Sequence, residues 1–305
     1  MVNKFNNLIF IVGVGRSGTS LLHSILNAHS KVCFLPETKF LRNYVLKKNL
    51  KVKESNYKKI SNQLNNDKRF KRLKIDSGEI LKVNHTMYDI YQNILKIKSI
   101  NQNKSNIGDK DPKLIEKINR LHHFFPNSKI IHIIRDPRDV VLSRTKAKWS
   151  QKHPFYFHAI IYYMQLSLGI KSGRSKYKEN YIEVLYENLI KNPDYELLRI
   201  IKFLNLDFEK SMLNFKDSSK ELVSEDELEW KKETFLPIKK NNFNKWKLGL
   251  TNFQSFIIES ICFFHIKKFN YKNEIKLLSL KMLFVLIIQP FLFLLNVLYR
   301  LKLKC

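Results

Sequence analysis

An oxyanion can be held by glycines interleaved with arginine and hydroxyl residues, and the run Gly13-Val14-Gly15-Arg16-Ser17-Gly18-Thr19-Ser20 has that make-up. Three of the eight glycines in this 305-residue chain fall within six positions there. Glycine lets backbone N–H groups turn inward, and a helix that follows offers unpaired donors and the positive end of its dipole. The run is therefore expected to bind a phosphate or sulfate. Gly13 and Gly18 are spaced as in a nucleoside-triphosphate loop, but Thr19 stands where that motif has lysine. Arg16 is the nearest replacement for the missing charge. A second candidate is Arg135 in Arg135-Asp136-Pro137-Arg138-Asp139, with Ser143 eight residues further on. A guanidinium and a hydroxyl can grip another anionic group, although an arginine beside aspartates also forms surface pairs.

These residues need elements that position them. Residues 8–14 form a short apolar run that reads as a buried parallel strand, and Leu21, Leu22, Ile25 and Leu26 follow at helical spacing. Lys129–Ile134 reads as another buried strand ending at Arg135, with a helix through Val140, Val141 and Leu142. Asn106-Ile107-Gly108-Asp109-Lys110-Asp111-Pro112 reads as a strand end carrying a lysine before a proline-stopped turn. A helix through Leu114, Ile115, Ile118 and Leu121 is expected next. Tyr181–Leu185 is a further strand, running into Tyr186-Glu187-Asn188-Leu189 and helical patterns with Leu197, Leu198, Ile201 and Leu204. Repeated strand-helix units predict a three-layer α/β fold, a P-loop-like domain around a central parallel sheet. Ligands gather at the carboxyl ends of strands in such sheets.

Composition narrows the function classes. The chain carries 55 Lys+Arg against 27 Asp+Glu, a formal charge of +28, with 44% hydrophobic residues. That supports a sizeable core and argues against disorder throughout. The charge implies a polyanionic partner: nucleic acid, an anionic lipid surface, or a multiply phosphorylated nucleotide. Residues 47–74 hold 11 Lys+Arg but two aromatics, Tyr57 and Phe70, and read as a solvated, partly helical surface segment. Nucleic acid is not expected there. Cys33, Cys262 and Cys305 are far apart and odd in number, so neither a disulfide framework nor a zinc ribbon is indicated and a reducing, cytoplasmic setting is expected. No metal-ligand spacing occurs among the histidines, of which His132 reads as core and His29 as a cap or pocket residue.

Together the glycine loop, the Arg135–Ser143 element, Lys110 in Asp-Lys-Asp-Pro and Tyr186-Glu187-Asn188-Leu189 resemble the sulfotransferases that use 3′-phosphoadenosine-5′-phosphosulfate (PAPS). The resemblance covers about residues 7–271 and is nearest to the branch containing the protein-tyrosine sulfotransferases and bacterial sulfotransferases. It implies that Gly15, Arg16, Ser17, Gly18, Thr19 and Ser20 cradle the 5′-phosphosulfate, and that Arg135 and Ser143 hold the 3′-phosphate. It further implies Glu37 as general base, Lys110 as contact to the transferred group, and Tyr186 near the adenosine. Asn244-Lys245-Trp246 resembles the segment that closes over the nucleotide, which makes Lys245 a further cofactor candidate. Two departures stand out. Ala147 occupies the place of a second arginine, flanked by Lys146 and Lys148, and no assisting serine is found near Trp230–Thr234. The second departure weakens tyrosine as acceptor relative to a hydroxyl on a glycan, lipid or other metabolite.

No metal is required by this reading, because sulfuryl transfer proceeds in line through a loose transition state stabilised by positioning and cationic contacts. A P-loop-like ATP-dependent kinase and a non-catalytic membrane-bound nucleotide or polyanion binder are the alternatives. Residues 272–305 form a separate basic and apolar tail. Met282–Tyr299 is 18 uncharged positions flanked by Lys276, Lys281, Arg300, Lys302 and Lys304. A helix of that length reaches about 27 Å, and Pro290 sits in its middle. The tail is expected to associate with an anionic membrane surface through residues 282–299, by spanning it, entering it shallowly or lying in its plane, unless it is a helix buried against the domain. Cys305 is a further candidate for lipidation, without a prenylation box.

Overall fold

Short runs of Ile, Val and Phe build the centre of the molecule, whose computed structural model describes residues 7–223, 227–275 and 279–304. The strands are β1 (Asn7–Gly13), β2 (Val32–Phe34), β3 (Asn106–Lys110), β4 (Lys129–Ile134) and β5 (Tyr181–Leu185). They form one parallel sheet in the order β2-β3-β1-β4-β5. Four of the strands coincide with those expected from sequence. The three residues of β2 lack a periodic signal long enough to be read.

Side chains alternate across the sheet, so each strand feeds two cores. Phe10, Val12, Ile130 and Ile134 join one cluster with Ile90, Tyr91 and Ile94 of the helix Met87–Asn101 and Ala159, Tyr162 and Leu166 of the helix Phe155–Lys176. Ile9, Ile11, Ile131 and Ile133 join the other with Leu22, Ile25 and Leu26 of the helix Thr19–Asn27 and Leu197, Ile200, Ile201 and Leu204 of the helix Pro193–Leu204. The result is the three-layer α/β architecture.

Three expectations need correction. The helix expected from Leu114 to Leu121 is broken. Asp111 accepts from the Lys113 N–H and Pro112 opens a tight 3-10 turn, Pro112–Glu116, before a helix starts at Ile118. The segment 47–74 is more than a solvated surface: Ile60, Leu64 and Phe70 are buried in the core. Of the two roles expected for His29, the pocket role is the one that fails: it lies just past the carboxyl end of the helix Thr19–Asn27, bonded to the Asp207 carbonyl and beside Glu209, far from the end of that helix that carries the glycine loop. His132, as expected, is fully buried in β4.

The C-terminal helix Leu280–Lys304 docks on the domain. Leu292 enters the main core, and Val285 packs with Phe263 and Ile275. Gln289 donates to the Ser260 carbonyl at 2.7 Å, and Tyr299 Oη donates to Glu116 at 2.7 Å. Lys276 and Cys305, named above as a flanking charge and a lipidation candidate, lie outside the described residues.

Candidate active site

All five strands deliver a candidate residue at or beyond their carboxyl ends, where a parallel sheet opens its ligand crevice. After β1 the chain runs through the glycine loop into the helix Thr19–Asn27. Gly18 has φ of 96°, and a Cβ there would lie 2.3 Å from the Tyr186 ring. Only glycine allows this close approach. Arg16 adopts φ of 81° without being glycine, a strain that typically costs about 1–3 kcal/mol and clusters at functional sites. The first turn of the helix carries no acidic residue, leaving its N–H groups facing the crevice without competition from a carboxylate.

The second cradle abuts the first because β4 lies next to β1, with Gly13 in register with Ile133. Arg135, nearly buried, donates to the Asn242 carbonyl at 3.1 Å and stacks over the Tyr186 ring at 4.2 Å. Asp139 stands 3.6 Å from the Arg135 guanidinium and accepts from the backbone N–H groups of Asn244 and Trp246 at 2.8 and 2.9 Å. Asn242 in turn donates to Tyr186 Oη at 2.8 Å. Two carboxylate oxygens and one ring thus fasten the late segment 242–246 over the tip of β4. Ser143 accepts a 2.9 Å hydrogen bond from Arg16 Nε.

Glu37, three residues beyond β2, faces Lys110 at the end of β3. Lys110 is buried and donates to Glu37 Oε2, and it also lies 3.4 Å from Ser20 Oγ. Lys231 approaches the same carboxylate at 3.6 Å and is held by Glu227 at 2.8 Å. Burial by itself would push the Glu37 carboxyl up, but the charges of Lys110 and Lys231 and the Lys110 hydrogen bond hold it well below the usual carboxylate range. Burial together with the charge of Lys110 pushes Lys231 down to about 8 against the pull of Glu37 and Glu227. Asp109, beneath Lys110, is driven up to about 7 by burial and accepts from Tyr91 Oη at 2.9 Å.

A cavity of about 910 Å³ joins these groups. Gly15, Arg16, Gly18, Thr19, Ser20, Glu37, Lys110, Arg135 and Tyr186 line it as anticipated. Three candidates are not in its wall. Ser17 is buried beneath the loop, Ser143 acts through Arg16, and Lys245 projects outward while its neighbours Asn242 and Trp246 are buried. Lys148, which flanks Ala147, lines the cavity.

Sequence reasoning missed Arg69, Arg144, Lys231 and Asn242, all of which also line it. Twelve lysines and arginines against four carboxylates make the wall strongly cationic, a site built for a polyanion. For Lys231 the one available signal was its helical spacing from Glu227. For the others nothing in one dimension marks them.

Comparison with known proteins places the chain in a family. The model of the Sulfotransferase family matches residues 8–210. The chain belongs to that family. Protein-tyrosine sulfotransferase A of Caenorhabditis elegans is 26% identical over 216 residues, covering 70% of this chain and 53% of the relative. The chain thus spans about half the length of that relative. A protein-tyrosine sulfotransferase of Drosophila melanogaster is 27% identical over 226 residues, covering 70% of this chain and 41% of the relative. In fold, the sulfotransferase domain of the Synechococcus PCC 7002 olefin synthase superposes with a TM-score of 0.64 at 22% identity, over 88% of this chain and 96% of that one. As a member of the Sulfotransferase family the chain carries Arg16, Glu37, Lys110, Arg135, Ser143 and Tyr186 inside the matched stretch, whereas Lys231, Asn242 and Lys245 lie beyond it.

Proposed function

We propose that the protein is a PAPS-dependent O-sulfotransferase. The observation that carries this reading is the contact of two anion cradles at neighbouring strand tips, joined by Arg16 and Ser143 and flanked by a carboxylate paired to a buried lysine. A carrier with charged groups at both ends of an adenosine fits that layout. The donor set suits it: the loop N–H groups with Arg16 for the 5′ end, and Arg135 for the 3′-phosphate. Tyr186, stacked on Arg135 and close against Gly18, is assigned to the nucleoside in this reading. When bound, the carrier supplies an activated sulfuryl group.

The chain's own residues then have distinct tasks. Arg16 and Lys110 stabilise the charge that accumulates on the transferred group and the leaving phosphate. Glu37 accepts the acceptor's hydroxyl proton. In the structure described here Glu37 is a weak base, because Lys110 and Lys231 neutralise it. An incoming sulfonate attracts the same lysines, and as they turn toward it Glu37 recovers basicity. The base is thereby armed when the sulfuryl donor is present, which limits unproductive chemistry. A cytoplasmic protein resting on an anionic membrane through residues 282–299 is part of the same reading, and the apolar outer face of the last helix supports the membrane contact.

The decisive experiment is calorimetric titration with the desulfated carrier, 3′,5′-bisphosphoadenosine, against ATP and 5′-AMP. Binding of the bisphosphate at least tenfold tighter than 5′-AMP supports the reading. Equal affinity for the two would overturn it.

A further inference from the structure

The C-terminal helix Leu280–Lys304 is gripped along its length. Val285 and Phe284 contact the domain near one end, Gln289 and Leu292 in the middle, and Tyr299 near the other. At 1.5 Å per residue these anchors extend over about 22 Å of axis. Docking of this kind fits a helix lying along a bilayer surface, although its stretch Lys281–Leu303 is apolar enough for a span by composition and little of it is buried against the domain.

Its outward face is nevertheless apolar. Leu283, Leu286, Ile287, Phe291, Phe293, Leu294, Leu298 and Leu301 are each 53–76% exposed. Pro290 stands on this exposed side. A contiguous exposed apolar surface of this kind marks an interaction site. Exposed Lys281 and Lys302 stand near its ends, and the chain as a whole carries +28. A second copy of the chain would bring equal positive charge to the contact, whereas an anionic bilayer offers apolar depth and opposite charge together.

The same helix forms part of the active-site wall. Tyr299, Lys302 and Leu303 line the cavity that contains Glu37 and Lys110, with Trp149 and Phe157 also in that wall. Trp149 is 57% exposed and Phe157 36%, and aromatic rings of this kind favour the headgroup region. Tyr299 bonds Glu116, itself a cavity-wall residue, so one helix carries both the apolar face and part of the wall around the reacting groups.

Building on the sulfuryl-transfer reading, we propose that the acceptor is a hydroxyl on the headgroup of a membrane lipid, sulfated while its acyl chains stay in an anionic bilayer against the C-terminal helix. The lipid oxygen forms a new S–O bond as the bond from sulfur to the carrier's phosphate oxygen breaks. The hydroxyl proton passes to Glu37, and the leaving bisphosphate keeps the electron pair.

Two measurements test the proposal on the full chain. In flotation, vesicles of phosphatidylcholine with about one-third phosphatidylserine should carry the protein and pure phosphatidylcholine vesicles should not. The exposed-face variant Ile287→Glu/Leu294→Glu should lose at least tenfold in vesicle affinity while the heat of 3′,5′-bisphosphoadenosine binding is unchanged. Sedimentation showing a dimer that buries this face, with no flotation, assigns the face to a second copy and overturns the proposal. In the second measurement, sulfur-labelled PAPS is incubated with washed membranes or with membrane-free extract of the source cells. Label in chloroform-soluble lipid, reduced about tenfold by the variant, is expected. Label confined to water-soluble products overturns the lipid acceptor and leaves sulfuryl transfer standing. Absence of bisphosphate binding would instead overturn the parent reading.

Discussion

Arg16 Nε donates to Ser143 Oγ at 2.9 Å across 127 positions of sequence. This bond ties the glycine loop after β1 to the helix after β4, so the two anion sites are set relative to each other before any ligand arrives. Preorganisation of this kind reduces the ordering cost of binding. Ser143→Ala should therefore leave the fold intact and weaken bisphosphate binding by roughly 3–10-fold, the net worth of one typical hydrogen bond. Calorimetry of the variant checks this, and unaltered affinity would show that the link does not position Arg16.

Arg135 has few alternatives to replace it at the tip of β4. Its guanidinium is held by Asn242, Asp139 and the Tyr186 ring. Arg135→Ala is expected to weaken 3′-phosphorylated nucleotides by roughly 10–100-fold and 5′-AMP far less. Titration with both ligands separates loss of a specific contact from general damage, since equal losses would mean the latter.

Glu37 is predicted to govern turnover and not carrier affinity. Glu37→Gln removes the base, a change worth typically ~10²–10⁴ in rate, while releasing Lys110 and Lys231 from a competing carboxylate. Carrier binding should be undiminished. Steady-state kinetics with an acceptor established by labelling, alongside calorimetry, tests both halves.

Lys231 introduces a pH dependence whose sign follows from its burial. Its free-protein value of about 8 means the side chain is charged below that pH and neutral above it. An anion-binding cation is then lost as pH rises, so kcat/KM, which reports the free enzyme, should fall on a basic limb near pH 8. Lys231→Met should remove that limb and lower kcat/KM on its acid side. Persistence of the limb in the variant would assign it to another group.

Gly18 tests the loop itself. Its φ of 96° and the 2.3 Å approach of a virtual Cβ to the Tyr186 ring predict that Gly18→Ala destabilises the fold by about 1–3 kcal/mol and displaces Tyr186. Denaturant unfolding measures the first effect, and weakened nucleotide binding with normal far-ultraviolet dichroism measures the second.

The apolar runs of β1 and β4 were readable because buried parallel strands need near-continuous β-branched residues, with glycine and arginine at their ends marking the turns to the helices, whereas β3 was readable from its lysine before a proline-stopped turn and β5 from Ile182 and Val184 ahead of a helical pattern. Resemblance then singled out Glu37, Lys110 and Tyr186 from motifs. The three-residue β2 left no periodic trace, and the basic stretch 47–74 looked solvated because its many lysines mask Ile60, Leu64 and Phe70. Arg69 within it reaches the cavity, while Arg72 donates to the Glu37 carbonyl at 3.2 Å. Lys245 resembles a cofactor residue and is exposed, while Asn242, three residues earlier, lines the cavity and Trp246 donates its backbone N–H to Asp139.

By itself the amino-acid order determined the strand-loop-helix units and the types of group at each strand end, since both depend on local spacing and backbone freedom. Tertiary structure alone decided which of those ends are neighbours, that Lys231 joins Lys110 at Glu37, and that the last helix walls the cavity while turning an apolar face outward. Those facts arise from strand order and from contacts between residues far apart in the chain, where burial changes charge and basicity in ways no local pattern encodes.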